Sequence, residues 1–269
     1  MAGRRLWRCL RVRVRSVLAM VPAAFFDLDN TLVHGSSLAH LGRAALRAGL
    51  VTRRQLAGFA CMEARFVLTR SEHAGDRKRL TERSLALVQG REQAEVRAFA
   101  AAVAPRILER RAVAATVRRL RAHQASGCET WLVTASPLEL AEPLAHLLGM
   151  TGALGTRLEV VDGVYTGRLQ GRVLHGAEKA RAVVALARSA GIDLTGSAAY
   201  SDSINDVPLL SLVGRASVVN ANRALRAEAR RRDWTVLHAI DTEERLPSAL
   251  GQAIALHSDA IGSRAAFVS

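Results

Sequence analysis

The sequence predicts an α/β fold, a doubly wound parallel sheet with an all-helical segment inserted after its first strand. Three observations predict it. An apolar run, Val21 to Phe26, ends abruptly in Asp27-Leu28-Asp29. The stretch 34–111 then carries apolar residues at helical spacing and no strand signal. From Ala112 onward, short apolar runs alternate with helical segments, the rhythm of strand–helix–strand units that build a parallel sheet.

The elements follow in order. Val21 to Phe26 reads as a buried strand. Ser36 to Leu50, Thr52 to Arg70, Glu72 to Gln89 and Glu92 to Arg110 read as helices, with Ser37, Thr52 and Ser71 as N-caps and Gly49 and Gly90 as stops. Val113 to Gln124 is a helix ending at Gly127, and Glu129 to Val133 a strand. Pro137 suits the first turn of the next helix, which runs to about Leu148. Leu158 to Leu169 reads as a hairpin turning at Asp162-Gly163. Gly176 to Ser189 is a helix, Ser197 to Tyr200 a strand, Val207 to Val213 a short helix and Ala216 to Val219 a strand. Arg223 to Arg231 is a helix and Thr235 to Leu237 a last strand. The expected organisation is a basic non-structural segment over 1–19, an α/β core from 20–33 and 112–245, a helical insertion over 34–111, and a helix or tail over 246–269.

Composition limits the function classes. The chain has 269 residues, 49% hydrophobic and 4% aromatic, which suits a helix-rich α/β core. Basic residues number 38 and acidic 24, a net charge of +14. The basic residues are nearly all arginine; the lysines are Lys78 and Lys179. An arginine-heavy, lysine-poor chain reads as codon bias of a GC-rich genome. No aromatic-interleaved basic patch accompanies it, so no nucleic-acid partner is expected. Cys9, Cys61 and Cys128 form no metal or disulfide spacing, which fits a reducing, cytoplasmic setting. Six arginines at 4, 5, 8, 11, 13 and 15 precede the apolar segment. That order resembles a signal peptide, but the apolar segment is needed as the first strand. Two readings stay open: a basic arm making weak contact with an anionic membrane, or a true start at Met20.

The polar residues at the strand ends carry the chemistry. Side chains alternate along a strand, so Asp27 and Asp29 start on one side, at the carboxyl end where open α/β sheets bind ligands. Thr134 follows the second strand, Lys179 lies on a later helix, and Asp202, Asn205 and Asp206 follow the Ser197 to Tyr200 strand. Each has a structural role open to it, as a cap or a solvated helix residue. Together, in order, they match the needs of phosphoryl transfer: a nucleophile, a divalent cation to screen charge, and fixed donors on the phosphate oxygens. Mg²⁺ needs only one or two carboxylates besides phosphate and water, and Asp27 and Asp202 can supply them. Lys179 can neutralise the phosphate, and the Thr134 hydroxyl can grip its oxygens. Asp29 can protonate the leaving alcohol.

Phe26-Asp27-Leu28-Asp29-Asn30-Thr31, Val133-Thr134-Ala135-Ser136, Lys179 and Tyr200-Ser201-Asp202-Ser203-Ile204-Asn205-Asp206-Val207-Pro208-Leu209-Leu210 resemble the four motifs of the haloacid dehalogenase superfamily. The helical insertion resembles the cap of its phosphoserine-phosphatase-like branch. The resemblance runs from about Ala23 to Leu237. It implies a Rossmann-like core and a Mg²⁺-dependent phosphomonoesterase acting on a small phosphorylated metabolite or lipid phosphate. Asp27 would become a phospho-aspartate and Asp29 would be the acid/base. Mg²⁺ would sit between Asp27, the Asp29 backbone carbonyl and Asp202. Thr134 and Lys179 would bind phosphate, Asn205 would lie at phosphate or substrate, and Asp206 would support Lys179 and the metal. Phosphoserine phosphatases carry a glutamate a few residues after the second aspartate, facing the substrate's ammonium. His34-Gly35-Ser36-Ser37 offers no carboxylate, although Glu63 or Glu72 could supply one from elsewhere in the cap. The competing readings are a phosphoserine phosphatase proper and a non-catalytic regulatory or membrane-peripheral protein on the same scaffold.

Overall fold

The computed structural model describes residues 20–54, 81, 82 and 84–237. The basic arm, most of the expected Thr52 to Arg70 helix, the first part of Glu72 to Gln89, Glu63, Glu72 and the 246–269 tail lie outside the described residues.

Six strands form one sheet: β1 (Val21–Phe26), β2 (Glu129–Pro137), β3 (Gly152–Thr156), β6 (Ile192–Ser201), β7 (Arg215–Val219) and β8 (Thr235–Leu237). Their order is β3-β2-β1-β6-β7-β8, and every neighbouring pair is parallel. The chain therefore winds outward from β1 in one direction and from β6 in the other. β1 is central because both its faces are apolar, as a strand covered by helices on both sides requires. Phe26 and Ala24 enter one core with Leu120, Leu132 and Leu144. Phe25 and Ala23 enter the other with Val183, Val218 and Leu209. Helices α2 (Gln93–Arg111), α3 (Ala114–Ala125) and α4 (Leu138–Leu147) pack the first core, and α5 (Ala177–Ala190), α6 (Val207–Leu210) and α7 (Arg223–Arg231) pack the second. Phe26 stacks on Tyr200 with ring centroids 4.6 Å apart, and His123 Nε2 lies 2.8 Å from the Tyr200 hydroxyl.

Between β1 and α3 the described residues are mainly helical: α1 (Ser37–Arg47), residues 84–88, and α2. Ser36 caps α1, its hydroxyl accepting from the Ala39 amide, so the cap falls one residue before the expected Ser37. Helix α2 contains Pro105 without being interrupted. The hairpin forms as expected from β4 (Leu158–Val161) and β5 (Val164–Leu169). Asp162 and Gly163 have φ of 50° and 79°, the pair of left-handed residues that a tight hairpin turn of matching twist demands. Its outer edge docks on the helical insertion. The Gly90 amide donates to the Tyr165 carbonyl, Tyr165 donates to Arg91, and Gln93 donates to Gly163, at 2.8–3.0 Å.

Three elements depart from expectation. β3 was not expected; Gly-Ala-Leu-Gly-Thr has neither alternation nor β-branched weight, and its pairing with β2 alone makes it a strand. β2 runs on to Pro137 rather than stopping at Val133, because Thr156 pairs with Pro137 and its hydroxyl donates to the Ala135 carbonyl at 2.6 Å. Pro137 consequently caps α4 rather than sitting in its first turn. β6 begins at Ile192, five residues before expected, with Asp193 taking the Thr195 and Gly196 amides across an irregular start.

Leu28 is fully buried in the first core between the two aspartates and pins the loop after β1. Leu28→Ala should cost about 2–5 kcal/mol in urea unfolding, the range for a buried leucine that leaves a cavity. A loss under about 1 kcal/mol would mean that the loop is held by something else.

Candidate active site

The order in which strands are added reverses between β1 and β6, and the crevice at such a switch point is where α/β sheets take ligands. The Asp27 amide donates to the Tyr200 carbonyl at 2.9 Å, which continues the β1–β6 pairing past Phe26. Asp27 and Asp202 thus leave adjacent strands at the same level.

Lys179, in the first turn of α5, reaches into this crevice. Its Nζ donates to Asp27 Oδ1 at 2.6 Å and to Asp206 Oδ2 at 2.7 Å, and all three side chains are buried. Ser201 donates to the same Asp206 oxygen at 2.7 Å. Burial alone would strip Lys179 of its proton, but the two carboxylates outweigh it and hold the ammonium above its ordinary pKa. Asp27 is pushed up to about 6, chiefly by burial and further by Asp206 and Asp29, against the pull of Lys179. Asp202 is pushed up to about 8, again chiefly by burial, then by Asp27 and Asp206. Gly176, with φ of 56°, precedes α5; a Cβ there would stand 3.3 Å from the Asn205 carbonyl oxygen, so glycine lets the helix start close to the Asp202 loop. Asn205 turns its amide and its side chain to Ser203 Oγ, at 3.2 and 3.4 Å.

Asp29 is held from the helical insertion. The Ser37 amide, in the first turn of α1, donates to Asp29 Oδ1 at 2.8 Å. That amide has no partner within its own helix, and the positive end of the helix dipole favours a carboxylate there. The Ser37 hydroxyl lies 2.7 Å from that of Ser136 at the end of β2. The Ser136 amide donates to Thr134 Oγ1 at 3.1 Å. Thr134 therefore joins Asp29 through a chain of two serines, and Asp27, Lys179 and Asp206 form a direct cluster.

Sequence reasoning missed several residues of this assembly. Asn30, with φ of 55°, accepts from the Gly35 amide through Oδ1 and hydrogen-bonds Asp202. Thr31 approaches Asp27 Oδ2 at 3.3 Å. Ser37 looked like an ordinary cap residue, and Ser136 carried no role of its own within the Val133–Ser136 motif. Only Asn30 carried a legible signal, since asparagine tolerates the left-handed region in a turn.

The donor set fits a divalent cation. Three buried or mostly buried carboxylates, those of Asp27, Asp202 and Asp206, share one ammonium, so the cluster is short of positive charge. Asp206 Oδ1 is buried with no hydrogen-bond partner among the described residues. No three acidic, histidine or cysteine side chains there make a ready cage, but Mg²⁺ binds through one or two carboxylates plus water and phosphate.

Comparison with known proteins identifies the family. A family model for haloacid dehalogenase-like hydrolases matches residues 24–211. The chain is similar to a protein named phosphoserine phosphatase SerB1 in Mycobacterium tuberculosis (strain ATCC 25618 / H37Rv), 44% identical over 217 residues that cover 81% of this chain and 70% of that protein. Probable phosphatase Rv3661 of the same strain is 36% identical over 236 residues, 87% of this chain and 82% of that one. Among solved structures, a protein with unknown function from Bordetella pertussis Tohama I superposes with a TM-score of 0.70 at 28% identity, over 82% of this chain and all of that chain.

The raised Asp202 pKa has a consequence for stability. A carboxyl whose folded pKa exceeds its ordinary 3.8 favours folding below that value and loses this contribution as pH rises toward about 8. In chelated protein, Asp202→Asn should therefore raise Tm relative to wild type, by several degrees more at pH 8.5 than at pH 5. An advantage that is equal at both pH values, or larger at pH 5, would contradict the buried-charge account.

Proposed function

The chain belongs to the haloacid dehalogenase-like hydrolases, and from that premise we propose that it is a cytoplasmic Mg²⁺-dependent phosphomonoesterase acting through an aspartyl-phosphate. The observation that carries the reading is the buried Asp27–Lys179–Asp206 cluster beside Asp202.

Asp27 and Asp202 side chains, with the Asp29 carbonyl, would hold Mg²⁺, which would supply positive charge against the substrate's phosphate. Lys179 holds Asp27 Oδ1, so Oδ2, faced by the longer Thr31 contact, is the freer oxygen for attack. In the first step Asp27 forms a bond to phosphorus, the bond to the leaving oxygen breaks, and Asp29 gives that oxygen a proton. In the second, water attacks the phospho-aspartate, its proton passes to Asp29, and inorganic phosphate leaves with Asp27 restored. Lys179 and Thr134 would bind the phosphate oxygens, with Asn205 beside them, and Asp206 keeps Lys179 charged and aimed. The carboxylate form of Asp27 is the nucleophile, so turnover should fall as acid protonates it; burial raises that carboxyl to about 6 without metal, and a bound cation would move the fall to lower pH.

The substrate would be a small phosphorylated metabolite or a lipid phosphate. The name of the 44% identical relative favours phosphoserine as the second reading. Against it stands the segment 34–37, which presents no carboxylate, while the Ser37 hydroxyl is spent on Ser136.

Asp27→Asn should abolish hydrolysis of an aryl phosphate while circular dichroism and Tm show an intact fold. Wild-type turnover should disappear with a chelator and return with Mg²⁺. Full turnover without a divalent cation would defeat the mechanism. A carboxylate facing the substrate's ammonium would add a charge-assisted bond of about 1.5–3 kcal/mol, more than tenfold in selectivity. With none in segment 34–37, phosphoserine should be hydrolysed no more than about tenfold better than glycerol phosphate in kcat/KM. A hundredfold preference would restore the phosphoserine reading.

A further inference from the structure

Ser37 meets the catalytic region twice. Its amide donates to Asp29 Oδ1 at 2.8 Å, and its hydroxyl lies 2.7 Å from Ser136 Oγ. Ser37 is fully buried and Ser136 nearly so. Two buried hydroxyls that satisfy one another leave no polar group stranded, and removing either strands the other. Ser36, not Ser37, caps the helix, so the Ser37 hydroxyl is not needed to start α1. It ties the first turn of α1 to the end of β2. These are a helix whose first amide donates to Asp29 and the strand that carries Thr134.

We infer that Ser37 is a positioning residue: its hydroxyl bond to Ser136 fixes the first turn of α1 so that the Ser37 amide keeps the Asp29 carboxyl oriented for proton transfer. The inference rests on the acid/base role proposed for Asp29. Without the hydroxyl pair, the first turn of α1 loses its bond to β2 and is held by its loop, by Asp29 and by Leu41, one turn further on, packed against the core. The carboxyl then follows the helix instead of being held against it. Misplacing an acid by about an ångström lowers the rate of the step that needs it, and leaves phosphate binding by Lys179 and Thr134 in place.

The test compares kcat/KM for an alkyl and an aryl phosphate. With kcat/KM the readout ends at departure of the leaving group and excludes hydrolysis of the phospho-aspartate. An alkoxide needs Asp29's proton and an activated aryl oxide hardly does. Ser37→Ala should lower kcat/KM for glycerol phosphate at least tenfold and for 4-nitrophenyl phosphate no more than about threefold, with the inhibition constant of inorganic phosphate little changed. Ser136→Ala should give the same split, and the double variant should be no worse than either single one within about threefold, because both remove one shared bond. Ser37→Thr, which keeps the hydroxyl, should restore most of the loss. Independently of turnover, hydrogen exchange of the residue-37 amide should quicken at least tenfold in Ser136→Ala. Equal losses for both substrates, a strictly additive double variant, or unchanged exchange at residue 37 would overturn the inference. Failure of the underlying activity would show differently, as turnover that survives Asp27→Asn.

Discussion

Lys179 Nζ stands between Asp27 and Asp206, 2.6 and 2.7 Å from their oxygens, in a place with almost no access to water. Each of the three charges would be costly there alone. Removing one partner of a buried pair typically costs about 3–5 kcal/mol, because the other charge is left uncompensated. The cluster therefore constrains everything around it. β1 must end where Asp27 can reach the ammonium. α5 must start close enough to the Asp202 loop for Lys179 to enter, which the glycine at 176 permits. Ser201 must turn its hydroxyl to Asp206. Much of the local sequence around the crevice can be understood as serving this one contact.

The same cluster is electrically unfinished. Three carboxylates and one ammonium leave negative charge in excess, and Asp27 and Asp202 respond by holding protons to about 6 and 8. A site in this condition binds a divalent cation by giving up protons, so metal binding and deprotonation are one event. Asp29 adds to this negative charge and is met by the first amide of α1, which donates to its Oδ1.

The amino-acid sequence made some of this legible and hid the rest for physical reasons. β1 could be read because an apolar run ends sharply in Asp27-Leu28-Asp29. The β4–β5 hairpin could be read because Asp162-Gly163 fits one tight turn and little else. β3 could not, since its five residues include two glycines and it becomes a strand only by pairing with β2. The start of β6 was masked by Asp193 and Gly196, residues that normally speak for a loop. Lys179 was conspicuous as one of two lysines. The serine pair was not, because Ser37 and Ser136 are 99 residues apart and each is equally at home beside a helix end.

The strand order has a consequence for biosynthesis. β1 is made first, yet one of its two partners, β6, follows about 170 residues later, as the bond from the Ala23 amide to the Ser197 hydroxyl across 174 positions illustrates. While the ribosome completes the intervening helices and the β2–β3 side of the sheet, the β6-facing edge of Val-Pro-Ala-Ala-Phe-Phe has no strand to pair with. An unpaired apolar edge is a template for association with other chains. The Asp27 charge that finishes β1 cannot be neutralised by Lys179 until that residue has emerged as well. The nascent protein thus carries this apolar edge unpaired until β6 has emerged.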